Sequence, residues 1–383
     1  MIEFIICFVL AFILAFSATP IAKKIAFKIG AVDVPRDNRR MHKKPIARLG
    51  GLAIVSAFLV SVLFNVAGNM FNTSNLINPN EQFWGFIIGA LIIVGIGAVD
   101  DAKQLSAKVK LVFQLIAAII VVFTGTRIEI LTNPFSDVGF SVLSPWVSYP
   151  LSIFWIVGIT NAINLIDGLD GLAAGVSSIA SLSLFFVSVI SGELGTAILT
   201  AALAGATLGF LPYNFNPAKI FMGDSGALFL GYTLSVVSIQ GLLKQYAAIA
   251  IAIPLLVLGL PLFDTLFAIL RRILQGKSPM EPDRGHLHHR LIDMGLSQKQ
   301  SVVVMYTVST ALGLCAIVLA DKGVLSAIIL VISVSVFVIA GARYMSEVDG
   351  DLGVDKGENV NGENESKVIV GEVNDFNVNK TQN

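Results

Sequence analysis

Long apolar segments separated by short polar breaks dominate this sequence and restrict the folds open to it. They lie near 3–22, 49–67, 83–99, 109–125, 149–164, 172–190, 195–211, 225–243, 246–268, 301–319 and 323–343. A bilayer core about 30 Å thick needs about 20 apolar residues per helix, and lipid-exposed backbone must satisfy its own hydrogen bonds. The alternating ten-residue pattern of membrane barrels is absent. We therefore predict an all-α polytopic membrane bundle with about eleven transmembrane helices.

Charge supports this assignment and sets an orientation. Only 14% of residues are charged, against about 25% in soluble domains. Basic and acidic residues balance at 26 each, which gives no indication of nucleic-acid binding. Nineteen Lys and Arg residues fall in alternate breaks, starting with 23–48, and three fall in the others. Because cytoplasmic loops are rich in Lys and Arg, we predict an outside N-terminus and a cytoplasmic C-terminus.

The ends of the chain lead to two further predictions. The first apolar run has no preceding basic residue, so we interpret it as a retained helix and not a cleaved signal. Residues 346–383 are polar and acidic, with too little apolar surface to offset the entropy of ordering. We predict a membrane domain over 1–345 and a disordered cytoplasmic tail over 346–383.

Acidic residues gather at the predicted cytoplasmic ends, where burial near a membrane is costly without a reason. Asp100 and Asp101 directly follow an apolar run. They could balance nearby lysines, or they could hold a cation between them. A second group, N161-AI-N164-LI-D167-GL-D170-G, places two asparagines and an aspartate at helical spacing before an acidic turn.

Two later segments add polar groups. In NFNPAKIFMGDSG (214–226), Asp224 could cap the next helix or bind a cation, Phe221 could stack on a base or anchor the loop, and Asn214 suits an amide edge. In RGHLHHR (284–290), three of the four histidines of the chain stand between two arginines. We interpret this cluster as an anion clamp, with a chance surface cluster as the alternative.

Two further features stay open at this point. Arg48 to Gly51, at the end of the basic first loop, could bring backbone amides close to a phosphate. The ninth run contains Pro254 and Pro261, so we expect a kink near Pro261. Asp264, just beyond, could pair locally or reach the active site. Together the carboxylates, cations and lipid-accessible helices indicate Mg²⁺-assisted phosphoryl transfer.

The ordered motifs HKKPIARLGG, VDD, KLVFQ, NAINLIDGLDGLAAG, NFNPAKIFMGDSGALFLG and HLHHRL resemble those of the polyprenyl-phosphate N-acetylhexosamine-1-phosphate transferases, over residues 1 to about 345. The resemblance implies an eleven-helix plasma-membrane enzyme, multi-pass, with a cytoplasmic active site. It implies UDP-GlcNAc, undecaprenyl phosphate and membrane lipid as partners, with a homodimer left open. Mg²⁺ is the implied cofactor, with Mn²⁺ as an alternative.

The resemblance also implies a reaction and residue roles. A lipid phosphate attacks the β-phosphorus of UDP-GlcNAc, UMP leaves, and the product begins a cell-envelope glycan such as teichoic acid or surface polysaccharide. The implied metal residues are Asp224, Asp100 and Asp101. The implied catalytic residues are Asp100, Asp101, Asp167, Asp170, His288 and His289. The implied substrate-binding residues are Lys110 (with Gln114 beside it), Asn161, Asn164, Asn214, Phe221, Arg284 and His286.

Other functions fit less well. The phospho-N-acetylmuramoyl-pentapeptide branch of the family usually has PTMGG and an HHHFE-like run, where this chain has PIARLGG and HLHHRL. Prenyltransferase and CDP-alcohol phosphotransferase motifs are absent. A non-catalytic lipid or nucleotide-sugar transporter would place charges near the membrane midplane.

Overall fold

A computed structural model describes residues 1–35, 45–68, 77, 79–132, 140–241, 251–278, 285–322, 326 and 332. Residues Met1–Val331 form one compact unit, which contains every element below; of the second unit, Ile332–Asn383, one residue is described. The predicted tail, most of the eleventh predicted span, and Arg284 therefore lie outside the described residues.

The described residues are mainly helical, as the apolar runs predict. The helices are α1 (Ile2–Ile29), α2 (Gly51–Ala67), α3 (Glu81–Lys103), α4 (Ala107–Phe123), α5 (Pro145–Ile166), α6 (Leu172–Ile190), α7 (Leu194–Asn214), α8 (Gly223–Gln240), α9 (Ala252–Val257), α10 (Gly259–Leu274), α11 (Leu287–Asp293) and α12 (Gln298–Lys322). Six of them, α1, α3, α5, α6, α7 and α12, are long and apolar enough to cross a membrane. The chain is thus a multi-pass α-helical membrane protein.

Two short antiparallel ribbons interrupt the helices, and the sequence analysis did not predict them. β1 (Val32–Asp33) pairs with β2 (Ile46–Ala47), with Val32 opposite Ala47. β3 (Ile130–Thr132) pairs with β4 (Phe140–Val142). Strands this short give no readable alternation in the sequence. The first ribbon joins the end of α1 to the start of α2.

The predicted kink in the ninth run is a break between two helices, and it lies slightly before Pro261. α9 ends at Val257 and α10 begins at Gly259. Pro261 has no N–H to donate to the carbonyl of Val257, four residues earlier, so one helical hydrogen bond is missing at this break.

The centre of the bundle is α8, which packs against α2, α3, α5, α6 and α7. Every residue from Ser225 to Ile239 is buried. Its first turn contacts α2 so closely that a Cβ at Gly51 would collide with the backbone of Gly226. Cys7 and Cys315 are free thiols, and both are buried. This tight packing fixes the position of Asp224 at the start of α8.

Candidate active site

One cavity of about 550 Å³ lies where the acidic segments meet, a volume typical of small-molecule sites. The ends of α1, α3, α5 and α7 and the starts of α2, α4, α6 and α8 come together at this end of the bundle. The predicted residues in its lining are Asn164, Asp167, Asp170, Asn214, Phe221, Asp224 and His289. The acidic segments therefore share one side of the protein, as the sequence predicts.

Asp101 holds the start of α8 in place. Its Oδ1 accepts a hydrogen bond from the backbone N–H of Asp224 at 2.8 Å, and its Oδ2 accepts from the N–H and the hydroxyl of Ser225 at 3.1 and 2.7 Å. Gly223 makes this possible, since its φ is +73° and a Cβ there would collide with Asp101. Asp224 is not the N-cap of α8, which the sequence analysis offered as one interpretation. It lies in the first turn of α8, and Met222 is the N-cap.

Asp100 and Asp224 converge on one cation. The ammonium of Lys110 lies 2.6 Å from Oδ2 of Asp224 and 3.3 Å from Oδ2 of Asp100. Asp100 also accepts a hydrogen bond from the N–H of Leu105 at 2.6 Å, which fixes the end of α3. Charge balance with a lysine, offered above as one interpretation of the acid pair, is thus correct for Asp100. It does not apply to Asp101, whose carboxylate accepts hydrogen bonds from the first turn of α8.

The helix-spaced polar residues of α5 divide between two tasks. Asn161 donates to Gln114 Oε1 at 2.6 Å, and this bond ties α5 to α4 one turn beyond Lys110. Asn164 and Asp167 line the cavity instead. Asn161 therefore supports the packing of α5 against α4 and does not line the cavity, although we expected it to face substrate.

Asp167 lies in a poorly solvated environment among other carboxylates. The pKa of this carboxyl is raised to about 7, mainly by burial and then by the charges of Asp224 and Asp101, while Arg48 acts in the opposite direction. A cavity lined by this surplus of carboxylates favours a cation as ligand.

Asp170 and Asn214 line the cavity but are engaged by neighbouring groups. Oδ2 of Asp170 accepts from the N–H of Ala218 at 3.0 Å and from the amide of Asn216 at 2.9 Å. Asn214 accepts from the N–H of Gly171 at 3.1 Å and donates to the carbonyl of Ile220 at 3.0 Å. Both side chains fix the loop that carries Phe221, which itself lines the cavity.

The histidine segment closes another side of the cavity. His289 lines it, whereas His286 and His288 are buried behind it. The His288 ring lies against the DGLDG turn, since a Cβ at Gly168 would lie 2.6 Å from its Nε2. Burial, and then the neighbouring His289, lower the pKa of His288 to about 4, so this imidazole is neutral.

Several cavity residues were missed or wrongly assigned. Arg48 lines the cavity. The expected approach of phosphate to the amides that follow it is wrong, because the N–H groups of Gly50 and Gly51 donate to the carbonyls of Phe221 and Met222. Asn216 was visible in the NFNP motif. The lining residues Asp33, Asp293 and Gln298 lie in segments that carried no motif.

The sequence matches one family model and is similar to several named proteins. The model of "Glycosyl transferase family 4" matches residues 83–242. A Bacillus subtilis protein named "Probable undecaprenyl-phosphate N-acetylglucosaminyl 1-phosphate transferase" is 42% identical over 91% of this chain and 93% of its own length. A Mycolicibacterium smegmatis "Decaprenyl-phosphate N-acetylglucosaminephosphotransferase" is 36% identical over 74% of this chain and 73% of its own.

A more distant relative has the same kind of name. The Salmonella typhi "Undecaprenyl-phosphate alpha-N-acetylglucosaminyl 1-phosphate transferase" is 27% identical over 79% of this chain and 78% of its own. The matched region 83–242 contains the acid pair, the DGLDG turn and Asp224. The chain belongs to glycosyl transferase family 4, the family of polyprenyl-phosphate N-acetylhexosamine-1-phosphate transferases.

Proposed function

We propose that this chain transfers GlcNAc-1-phosphate from UDP-GlcNAc to undecaprenyl phosphate, giving undecaprenyl-diphospho-GlcNAc and UMP. The observation that carries the proposal is the 42% identity to the B. subtilis relative over nearly the whole of both chains. The cavity supports it, since aspartates and Arg48 from segments far apart in sequence line it, and Lys110 forms an ion pair with the lining residue Asp224. The product would start a cell-envelope glycan such as teichoic acid or surface polysaccharide.

We place this activity at the cytoplasmic face of the plasma membrane. The proposed topology has eleven spans, with the N-terminus outside and the C-terminus inside. Nineteen Lys and Arg residues in alternate breaks support this orientation. The outer face of α10 carries exposed Phe263, Leu266, Phe267 and Leu270, which suits a lipid substrate that arrives from the bilayer.

Magnesium, with Mn²⁺ as an alternative, is the cofactor that suits the donor set. Asp100 and Asp224 already share one cation, and Asp167 lies close enough to Asp224 for the two charges to interact. Carboxylate oxygens are the ligands that Mg²⁺ prefers. Among the described residues, no three acidic or histidine side chains are preassembled as a metal site. Asp224, Asp167 and Asp100 would hold the ion, whereas the oxygens of Asp101 are engaged by α8.

The reaction exchanges one phosphoanhydride bond for another. An oxygen of the lipid phosphate forms a bond to the β-phosphorus of UDP-GlcNAc, and the bond from that phosphorus to the bridging oxygen breaks, releasing UMP. The second pKa of a phosphate monoester is about 6, so the nucleophile is mostly ionised near pH 7 and needs no strong base. A bound Mg²⁺ would neutralise charge on the diphosphate. Lys110 and Arg48 supply fixed positive charge beside it.

Purified protein in lipid nanodiscs tests the proposal. UMP release and lipid product mass are measured with UDP-GlcNAc, UDP-GalNAc, UDP-glucose and UDP-N-acetylmuramoyl-pentapeptide, each with and without undecaprenyl phosphate. We expect UMP release with UDP-GlcNAc only when the lipid is present, and a product mass of undecaprenyl-diphospho-GlcNAc. Turnover of the pentapeptide substrate alone would transfer the assignment to the other branch of the family, and nucleotide-sugar uptake without UMP would indicate a transporter.

A further inference from the structure

Asp264 makes two hydrogen bonds to the histidine segment from a different helix. It lies on the buried face of α10, opposite the exposed apolar face. Its Oδ2 lies 2.8 Å from Nδ1 of His286, and its Oδ1 accepts from the N–H of Leu287 at 2.7 Å. One carboxylate therefore binds both the ring of His286 and the backbone at the start of α11.

These two bonds define the hydrogen position on His286. An ionised carboxylate can only accept hydrogen bonds. When this imidazole is neutral, its proton must therefore lie on Nδ1, which leaves Nε2 as the nitrogen available for binding or proton exchange. A carboxylate behind a histidine fixes ring orientation and tautomer in the same way in other catalytic sites.

Contacts between imidazole rings connect His286 to the cavity. The rings of His286 and His288 are stacked, with centroids 5.8 Å apart and planes 11° apart, and the rings of His288 and His289 are 4.2 Å apart. His288 is 1% exposed and packs against Gly168, and His289 lines the cavity. A displacement at His286 would therefore be passed on to the residue that faces substrate.

Two other contacts tie α10 to the same segment. Arg271 donates to the carbonyl of Gly285 at 2.8 Å, and the guanidinium of Arg290 lies 5.4 Å from the centre of the Phe267 ring. These contacts hold the backbone and the far side of α11. Unlike these two contacts, the contact of Asp264 involves a histidine ring and fixes its tautomer.

We propose that Asp264 is a positioning residue for the histidine segment: its carboxylate fixes the Nδ1-protonated form of His286 and the start of α11, and so sets His289 in the cavity wall. The proposal rests on the proposed function for its effect on transfer. The tautomer of His286 is independent of any substrate.

Asp264→Asn is the informative variant because it keeps the shape and reverses one bond. The Asn carbonyl oxygen can still accept from Leu287, while its NH₂ group donates to Nδ1 of His286 and forces the proton to Nε2. Thr265→Val is the matched control, since Thr265 is the buried neighbour on the same helix and its hydroxyl has no hydrogen-bond partner among the described residues.

Solid-state NMR on protein labelled with ¹⁵N-histidine reads the tautomer directly. The chain has four histidines, and the His286→Gln variant assigns the His286 signal among them. We expect Nδ1–H in the wild type and in Thr265→Val, and Nε2–H in Asp264→Asn. The same His286 tautomer in wild type and Asp264→Asn would overturn the proposal, even if transfer activity were never detected.

A double-mutant cycle provides the functional readout. We expect Asp264→Asn to lower kcat at least tenfold and to shift its pH profile, with Thr265→Val within about twofold of wild type. Because Asp264 acts through His286, the double variant with His286→Gln should be no slower than His286→Gln alone. Additive losses would show that Asp264 acts elsewhere. Absence of transfer in the wild type would instead reject the proposed function and leave the NMR result standing.

Discussion

Lys110 lies 2.6 Å from Asp224 and 3.3 Å from Asp100, so its ammonium sits between the two carboxylates that we assign to cation binding. Lys110 begins the KLVFQ motif, four residues before the glutamine that ties α4 to α5. A divalent cation that used both carboxylates would have to displace this ammonium. Lys110 would then be free to contact a substrate phosphate.

Replacing Lys110 by methionine tests this exchange. Loss of a competing positive charge should tighten Mn²⁺ binding without substrate by about tenfold, or ~1.4 kcal/mol, while transfer falls at least tenfold. Mn²⁺ binding is measured by electron paramagnetic resonance. Lys108→Met, an exposed position on the same helix, should change neither value. Weaker metal binding in Lys110→Met would contradict the exchange.

Substitutions of Asp101 and of Asp224 should have different effects on the melting temperature. Asp101→Ala leaves buried donors at the start of α8 without a partner, at about 1–3 kcal/mol each, so the melting temperature in detergent should fall. Asp224→Asn removes one member of a crowded acidic group and should melt no lower than wild type. If Asp101→Ala melted like wild type, the capping role would be wrong.

Asp167 makes stability depend on pH. Its folded pKa of about 7 lies above its ordinary value of 3.8, so between about pH 4 and 7 the folded state holds a proton that the unfolded chain has lost. Wild-type stability should therefore fall as pH rises through this window. In EDTA, Asp167→Asn should melt higher than wild type at pH 8, and the difference should vanish near pH 4. A difference that does not change with pH would refute this account.

Gly168 sets how closely the histidine segment docks. A methyl group at this position would lie 2.6 Å from Nε2 of His288, so Gly168→Ala should displace that ring and lower transfer at least tenfold. Gly158→Ala, with open space around its Cβ position, serves as the control and should retain activity. Equal activity in the two variants would show that His288 placement does not matter.

The sequence predicts the membrane class and the gathering of the motifs because both depend on local chemistry. Apolar runs of bilayer length mark helices, and acids at their polar ends mark one side of the protein. The family resemblance, carried by motifs such as FMGDSG, is confirmed. The eleven-span count, the orientation and the tail over 346–383 stay predictions.

Other features depend on tertiary contacts that no local pattern contains. Asp100 and Asp101 are adjacent in sequence, yet one faces Lys110 and the other caps α8, because successive residues on a helix point in different directions. The partnership of Asp264 with His286 joins helices across 22 residues. Asp33, Asp293 and Gln298 reach the cavity only through packing.

The most direct test of the central claim is UMP release from UDP-GlcNAc by purified protein in nanodiscs that contain undecaprenyl phosphate, with the wild type and Asp224→Asn assayed over a Mg²⁺ titration. The account predicts release that requires both lipid and Mg²⁺, and a loss of at least a thousandfold in Asp224→Asn with no loss of folding. Turnover by Asp224→Asn near the wild-type rate, or wild-type turnover unaffected by EDTA, would contradict it.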